Sequence, residues 1–180
     1  MKKFAENAFE TIGLGAGVLL NTFTSIEAIA NEHIIGATRG GSTISVPATM
    51  RSYNIDGVRE NTMGNQVIDD WRPTFAFTLL TMDKEKTQMA LGVADIDEEG
   101  KVIPRHKIKD EDYKDYYWVG ERSDGATIVM FLGNALSTGG LSWRTTHNGE
   151  VESSITLTAH YTRADQDKVP FYMQEIVKAE

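Results

Sequence analysis

Residues 34–83, IIGATRGGSTISVPATMRSYNIDGVRENTMGNQVIDDWRPTFAFTLLTMD, combine strand patterning, glycine turns and alternating charges without a catalytic constellation. Ile44 and Val46 alternate with Thr43 and Ser45, the period of a half-buried strand. Pro47, which has no N–H to give a ladder, sets that strand at an edge or marks a bend. Arg51, Tyr53 and Ile55 lead into Asp56-Gly57, a pair suited to a tight hairpin turn. Residues 66–70 read as another strand. Phe75, Phe77 and Leu79 then alternate with Ala76, Thr78 and Leu80 in a strand apolar enough to be covered on both faces, and so central. Thr81 or Asp83 can cap a helix near 83–94, with Met82, Met89 and Val93 on one face and Lys84, Glu85, Lys86 and Gln88 toward water.

Working outward, residues 17–23 and 34–38 are apolar enough for strands, with a short helical turn over 25–31 between them, capped by Ser25 or Thr24. After the helix, residues 95–100 form a polar turn returning into a strand at Lys101-Val102-Ile103, and 110–115 form a second acidic loop. Strands over 116–121 and 126–132 are joined by Ser123-Asp124-Gly125. Strands over 141–146 and 151–161 are joined by His147-Asn148-Gly149. In the last of these, Ile155, Leu157, Ala159 and Tyr161 alternate strictly with Ser154, Thr156, Thr158 and His160. The strongest burial signals are Phe75, Phe77, Leu79, Ile155, Leu157 and the run 128–132. Residues 163–168 are polar and Val169-Pro170-Phe171-Tyr172 apolar, which reads as an arm that frays unless something docks it. Many short strands around one helix predict a mainly β domain, an antiparallel sandwich or barrel.

With 180 residues, 41% hydrophobic and 24% charged, the chain supports one core rather than two. The absence of cysteine excludes a disulfide framework or thiolate metal site and fits assembly in a reducing cytoplasm. A net charge of −8 argues against tight nucleic-acid binding. Lys2, Lys3 and the apolar run 12–20 imitate a secretory signal, but Glu6, Glu10 and the glycines at 13, 15 and 17 spoil it. No stretch approaches the roughly 20 apolar residues of a membrane-spanning helix.

No acid–base pair or nucleophile can be named. Residues 13–17, GLGAG, lack the third glycine of a nucleotide loop. The run from Asp95 to Gly100 begins like a calcium loop, yet His106 stands where the bidentate glutamate belongs. His33, His106, His147 and His160 show no ligand spacing. Trp71, Trp118 and Trp143 with Tyr53, Tyr116 and Tyr117 suit a core or subunit contact better than a base platform, since no basic frame surrounds them. No catalytic, cofactor or metal site is expected.

The order of parts in residues 34–93, with 155–171, resembles the tail tube proteins of long-tailed bacteriophages and phage-tail-like particles. The resemblance implies a small antiparallel sandwich or barrel with one flanking helix, an extended loop and terminal arms. It divides the chain into an N-terminal arm and first strand over 1–33, the tail tube domain over 34–162, and a C-terminal arm over 163–180. It also implies a structural virion protein, assembled in the host cytoplasm, whose hexameric rings stack into a hollow tube for genome passage. Tape measure, tail terminator and baseplate or distal tail proteins would be its partners, and DNA would pass without tight binding.

Carried over by position, Gly40, Gly41, Asp56, Gly57 and Gly64 would be turns of the extended loop. Arg39, Arg51, Arg59 and Phe171 would serve contacts between subunits. Met63 departs from the lysine expected there. Since a conduit for a polyanion should not bind it, Asp97, Glu98, Glu99, Asp110, Glu111 and Asp112 are candidates for acids lining the bore. The alternative is a cytoplasmic ligand-binding barrel or small enzyme with an aromatic-lined pocket.

Overall fold

The computed structural model describes residues 13–145, 147 and 149–177, with backbone only at 13–16. Residues 1–12 of the expected N-terminal arm lie outside this range. The chain is mainly β with one helix, built from antiparallel sheets as an open sandwich; the barrel is not closed. Its strands in order are β1 (Gly13–Leu20), β2 (Thr38–Ser45), β3 (Ala48–Ser52), β4 (Gln66–Trp71) and β5 (Thr74–Leu79). Helix α1 (Lys84–Leu91) separates these from β6 (Ala94–Ile96), β7 (Val102–Pro104), β8 (Lys114–Arg122) and β9 (Thr127–Ser137). The last strands are β10 (Trp143–Arg144), β11 (Glu152–Thr158) and β12 (Phe171–Ile176).

The long strand β9 joins two halves. Its first six residues pair with β8 on one side and β12 on the other, while Leu136 and Ser137 pair with β11. One half is therefore β1-β8-β9-β12, and the other is β2-β5-β11 with β10 beside β11. Between the two portions of β9 the backbone turns at Asn134, whose φ of +48° a short polar side chain tolerates better than most. The turn is pinned from several directions. Gly133 N–H donates to Pro170 O at 2.9 Å, and Asn134 N–H donates to the Asp115 carboxylate at 2.9 Å.

The halves bury one cluster between them: Leu19, Tyr116 and Leu132 from the first, with Phe75, Phe77, Leu79, Ile155 and Leu157 from the second. The alternation read at 75–79 and 155–159 holds, and β5 lies inside the sheet between β11 and β2. Within 128–132, Val129 and Leu132 are buried and the others half-buried. A smaller cluster of Leu20, Val119 and Val129, with Phe23, Ile29, Tyr117 and Ile176, covers the opposite face of the first half.

Helix α1 starts where Asp83 accepts the Lys86 N–H at 2.8 Å. It stops at Leu91, short of the expected 94, because Gly92 takes φ +75° and ends the hydrogen-bond ladder. The Ser137 hydroxyl donates to Ala90 O at 2.7 Å and holds the helix end against β9. Lys86 and Gln88, expected in water, are half-buried; Gln88 Nε2 donates to Ala94 O at 2.7 Å.

Other expectations shift. Gly40-Gly41 is not a turn before a strand but a β-bulge inside β2, where the register against β5 slips between Arg39 and Ser42 and both glycines have φ near +78° (+77° and +79°). Asp56-Gly57 turns within the long loop 53–65 and does not join two strands directly. Residues 34–38 hold only the Leu20–Ile34 bridge before β2 begins, and the helical turn sits at Asn31–His33. The 141–146 strand shrinks to β10, although its pairing with β11 stands. Residues 171–176, expected in an arm, form β12 on β9 of the same chain, so the tail is docked by its own sheet.

Two stability measurements follow from this packing. Phe77, 4% exposed, should cost about 3–5 kcal/mol as Phe77→Ala in urea unfolding. Truncation after Tyr161 removes β12 and bares one edge of β9, so the unfolding free energy should fall by about 3 kcal/mol or more. An unchanged midpoint would show that β12 contributes nothing to the fold.

Candidate assembly surface

β3 and β4 form a two-stranded sheet that pairs with no other strand among the described residues. At its root Trp71 N–H donates to the Tyr161 hydroxyl at 3.0 Å, and Arg72 N–H donates to Pro47 O at 3.0 Å. Beyond the root it carries its own register, with Met50 directly opposite Ile68. Buried Asn65 organises the loop: its side-chain amide donates to Arg59 O at 3.3 Å, and its backbone carbonyl receives Tyr53 N–H at 3.0 Å.

An isolated two-stranded hairpin is marginal in water, and this one has no core of its own. It still exposes Met50, Tyr53, Ile55, Val58, Met63 and Ile68, six of the fifteen large apolar side chains exposed on the described chain. Met63 at the tip is 99% exposed. The exposed apolar side chains are thus concentrated on this projection. The glycines at 57 and 64, with φ of +78° and +86°, shape the loop around it.

The arginines divide. Arg39 is held within the chain, pairing with Glu150 at 2.6 Å and Glu152 at 2.8 Å. Arg51 pairs with Asp69 at 2.7 Å and lies over the Tyr53 ring. These two stiffen the sheet and hairpin. Arg59 makes no ion pair among the described residues and remains available. Phe171 is half-buried and packs against the main core.

The acids expected along a bore sit on the β6–β7 hairpin and the 3-10 turn Asp110–Asp112. Several are already compensated. Glu99 pairs with Lys101, Asp110 with Arg163 at 3.2 Å, and Glu111 with Lys109 at 3.2 Å. Asp97 accepts the Lys101 N–H at 2.8 Å; Glu98 is exposed without an ion pair among the described residues. Asp112 leaves the candidate set, because its side chain is only 6% exposed and pairs with Arg105. Arg105 also binds Asp95 at 2.9 Å, which ties β6 and β7 to the chain entering β8. This network was not legible in sequence, since its members lie on separate elements.

Of the aromatic residues, Tyr117, Phe131 and Tyr172 stand directly opposite one another across β8, β9 and β12, with ring centroids 5.1 and 4.8 Å apart. Trp71, Trp118 and Trp143 sit on β4, β8 and β10 and take no part in a ring contact among the described residues. Burial pushes the Tyr116 phenol up to about 12. His160 meets the Tyr113 ring edge-on, and His33 Nδ1 accepts Ala30 N–H. No protein-family model matches the chain, and no curated protein matches it.

The Arg105–Asp112 pair makes stability depend on pH. Burial works to raise the Asp112 carboxyl, but donation from Arg105 and from Lys109 N–H outweighs it and holds the group below the ordinary value of 3.8. The pair's stabilisation is therefore full above that value and is lost as pH falls through the lower folded one. Asp112→Asn should lower the urea midpoint at pH 7, with the deficit shrinking as the solution is acidified. A deficit independent of pH would assign the loss to packing.

Proposed function

We propose that the chain is a structural protein of a phage tail or phage-tail-like particle, assembling through hexameric rings into a hollow tube through which the genome passes. The observation that carries this reading is the β3–β4 hairpin, which leaves Met50, Tyr53, Ile55, Val58, Met63 and Ile68 exposed. Burial of such side chains is worth about 1.5–3 kcal/mol each, so association is favoured once a surface is offered to them.

The sheet edges add a route to ring closure. In the half β1-β8-β9-β12 all neighbours are antiparallel; β12 is one outer edge, and β1 is the other, open only ahead of Leu19 because residues 33–35 of the same chain bond to its end. They run in opposite directions, so a rotation that brings β12 of one copy beside β1 of the next continues an antiparallel ladder. A closed ring of such contacts leaves no free edge, while stacking of rings stays open. The ring size of six rests on the family resemblance. Tape measure, terminator and baseplate or distal tail proteins would meet the two ends.

Charge is compatible with a conduit. Six copies at −8 each carry about 48 negative charges, which disfavours tight adhesion of DNA wherever they line the bore. Asp97, Glu98 and Glu99 on the β6–β7 hairpin remain the better lumen candidates, since Asp112 turns inward.

Electron microscopy of the purified protein at high concentration should show rings and tubes. Replacing the loop 53–65 by a two-residue turn should leave the cooperative unfolding transition in place and abolish tubes. Only monomer by light scattering at high concentration and low salt, with no tubes in the micrographs, would overturn the reading.

A further inference from the structure

We propose that the hairpin tip of one copy seats in a groove of a second copy, between residues 162–170 and the β9–β12 pair. This rests on the assembly reading above and names the surface that receives the hairpin. The groove has a volume of about 530 Å³ and an apolar wall of Phe131, Pro170 and Tyr172. Phe131 and Tyr172 stack with ring planes 21° apart, a flat rigid surface that costs little entropy to cover. Tyr172 is 45% exposed, so the stacked pair is open to a second copy.

Charge selects the occupant. Asp115 and Lys168 line the groove, and neither makes an ion pair among the described residues. The hairpin tip carries Arg59 and Glu60, which likewise make none among the described residues, beside exposed Ile55 and Val58. The tip thus presents one cation, one anion and apolar side chains to a groove offering one anion, one cation and an apolar wall. Arg59 against Asp115 and Glu60 against Lys168 satisfies all four, and complementary pairing of this kind fixes register.

Geometry makes the contact intermolecular. The hairpin root is bonded to Tyr161, the residue immediately before the groove's outer wall. The five residues of β3 carry the loop about 16 Å from that root, so a copy's own groove lies at the wrong end of its hairpin. Donor tip and receiving groove are therefore different patches of one chain separated along one direction. Such a contact is heterologous, so it links copies head to tail in a series rather than in a twofold pair.

The chain has no cysteine, so an introduced pair reports the contact without background. Under assembly conditions and mild oxidation, the double variant Val58→Cys, Val169→Cys should give a ladder of disulfide-linked oligomers that reductant collapses. Either single variant should give nothing beyond a dimer. Separately, Lys168→Glu should raise the concentration needed for tube formation roughly five- to tenfold by setting two carboxylates together, and adding Glu60→Lys should restore it. Both positions are exposed, and circular dichroism of each variant is the check that it folds. Tubes without a ladder, or a charge swap that fails to restore assembly, would overturn this inference and leave the assembly reading standing. Failure of the unsubstituted chain to form tubes would overturn both.

Discussion

The turn of β9 at Gly133-Asn134 is the constraint from which the rest of the structure proceeds. A single eleven-residue strand serves as a member of both sheet halves. It can do so only because its backbone changes direction once, where Asn134 takes a positive φ and neighbouring segments supply the hydrogen bonds that the ladder loses. Asp115 from β8 and Pro170 from the approach to β12 meet at this point, with His160 N–H reaching Gly133 O at 3.4 Å. The entry to β8, the exit from β11 and the entry to β12 are thereby located together. The two halves then face each other and close the core of Phe75, Leu79, Leu132, Ile155 and Leu157.

From that body the chain builds outward in units of decreasing support. Helix α1 and the β6–β7 hairpin are fastened by Ser137 to Ala90 and by Arg105 to Asp95 and Asp112. The Arg105 guanidinium is 15% exposed and holds two carboxylates, so desolvation is offset by paired charge rather than left uncompensated. The β3–β4 hairpin receives far less. Its root bonds, the Arg51–Asp69 pair and the Asn65 hub keep its shape, but its apolar residues remain in water. The sandwich buries its own core and leaves its projection uncovered.

Much of this architecture was legible in the sequence. Period-two alternation at 75–79 and 154–161 marked two core strands, although β5, expected to be covered on both faces, buries one face fully and the other only in part, and β11 ends at Thr158. Asp83 marked the start of the only α-helix of the described chain, although its end at Gly92 came earlier than expected, and Asp124-Gly125 closed the β8–β9 hairpin. The apolar residues of 50–68 were visible too, although alternation alone did not separate a buried face from an exposed projection. Pro47 marked the departure of that projection from the edge strand β2.

Tertiary structure decided what depends on residues distant in the chain. Gly40-Gly41 has turn chemistry, but pairing of β2 on both sides of it against β5 makes it a bulge. Residues 171–176 have the composition of a loose tail, and only the open side of β9 makes them a strand. Asp112 reads as one more surface acid until Arg105 from another segment draws it inward. By itself the sequence determined the phase of the core strands, the start of the helix and the lack of a thiol, since these follow from local periodicity and residue chemistry. Which edges stay open, which charges are spent within the chain and which apolar residues remain exposed were settled only in three dimensions, because each depends on partners more than a dozen residues away.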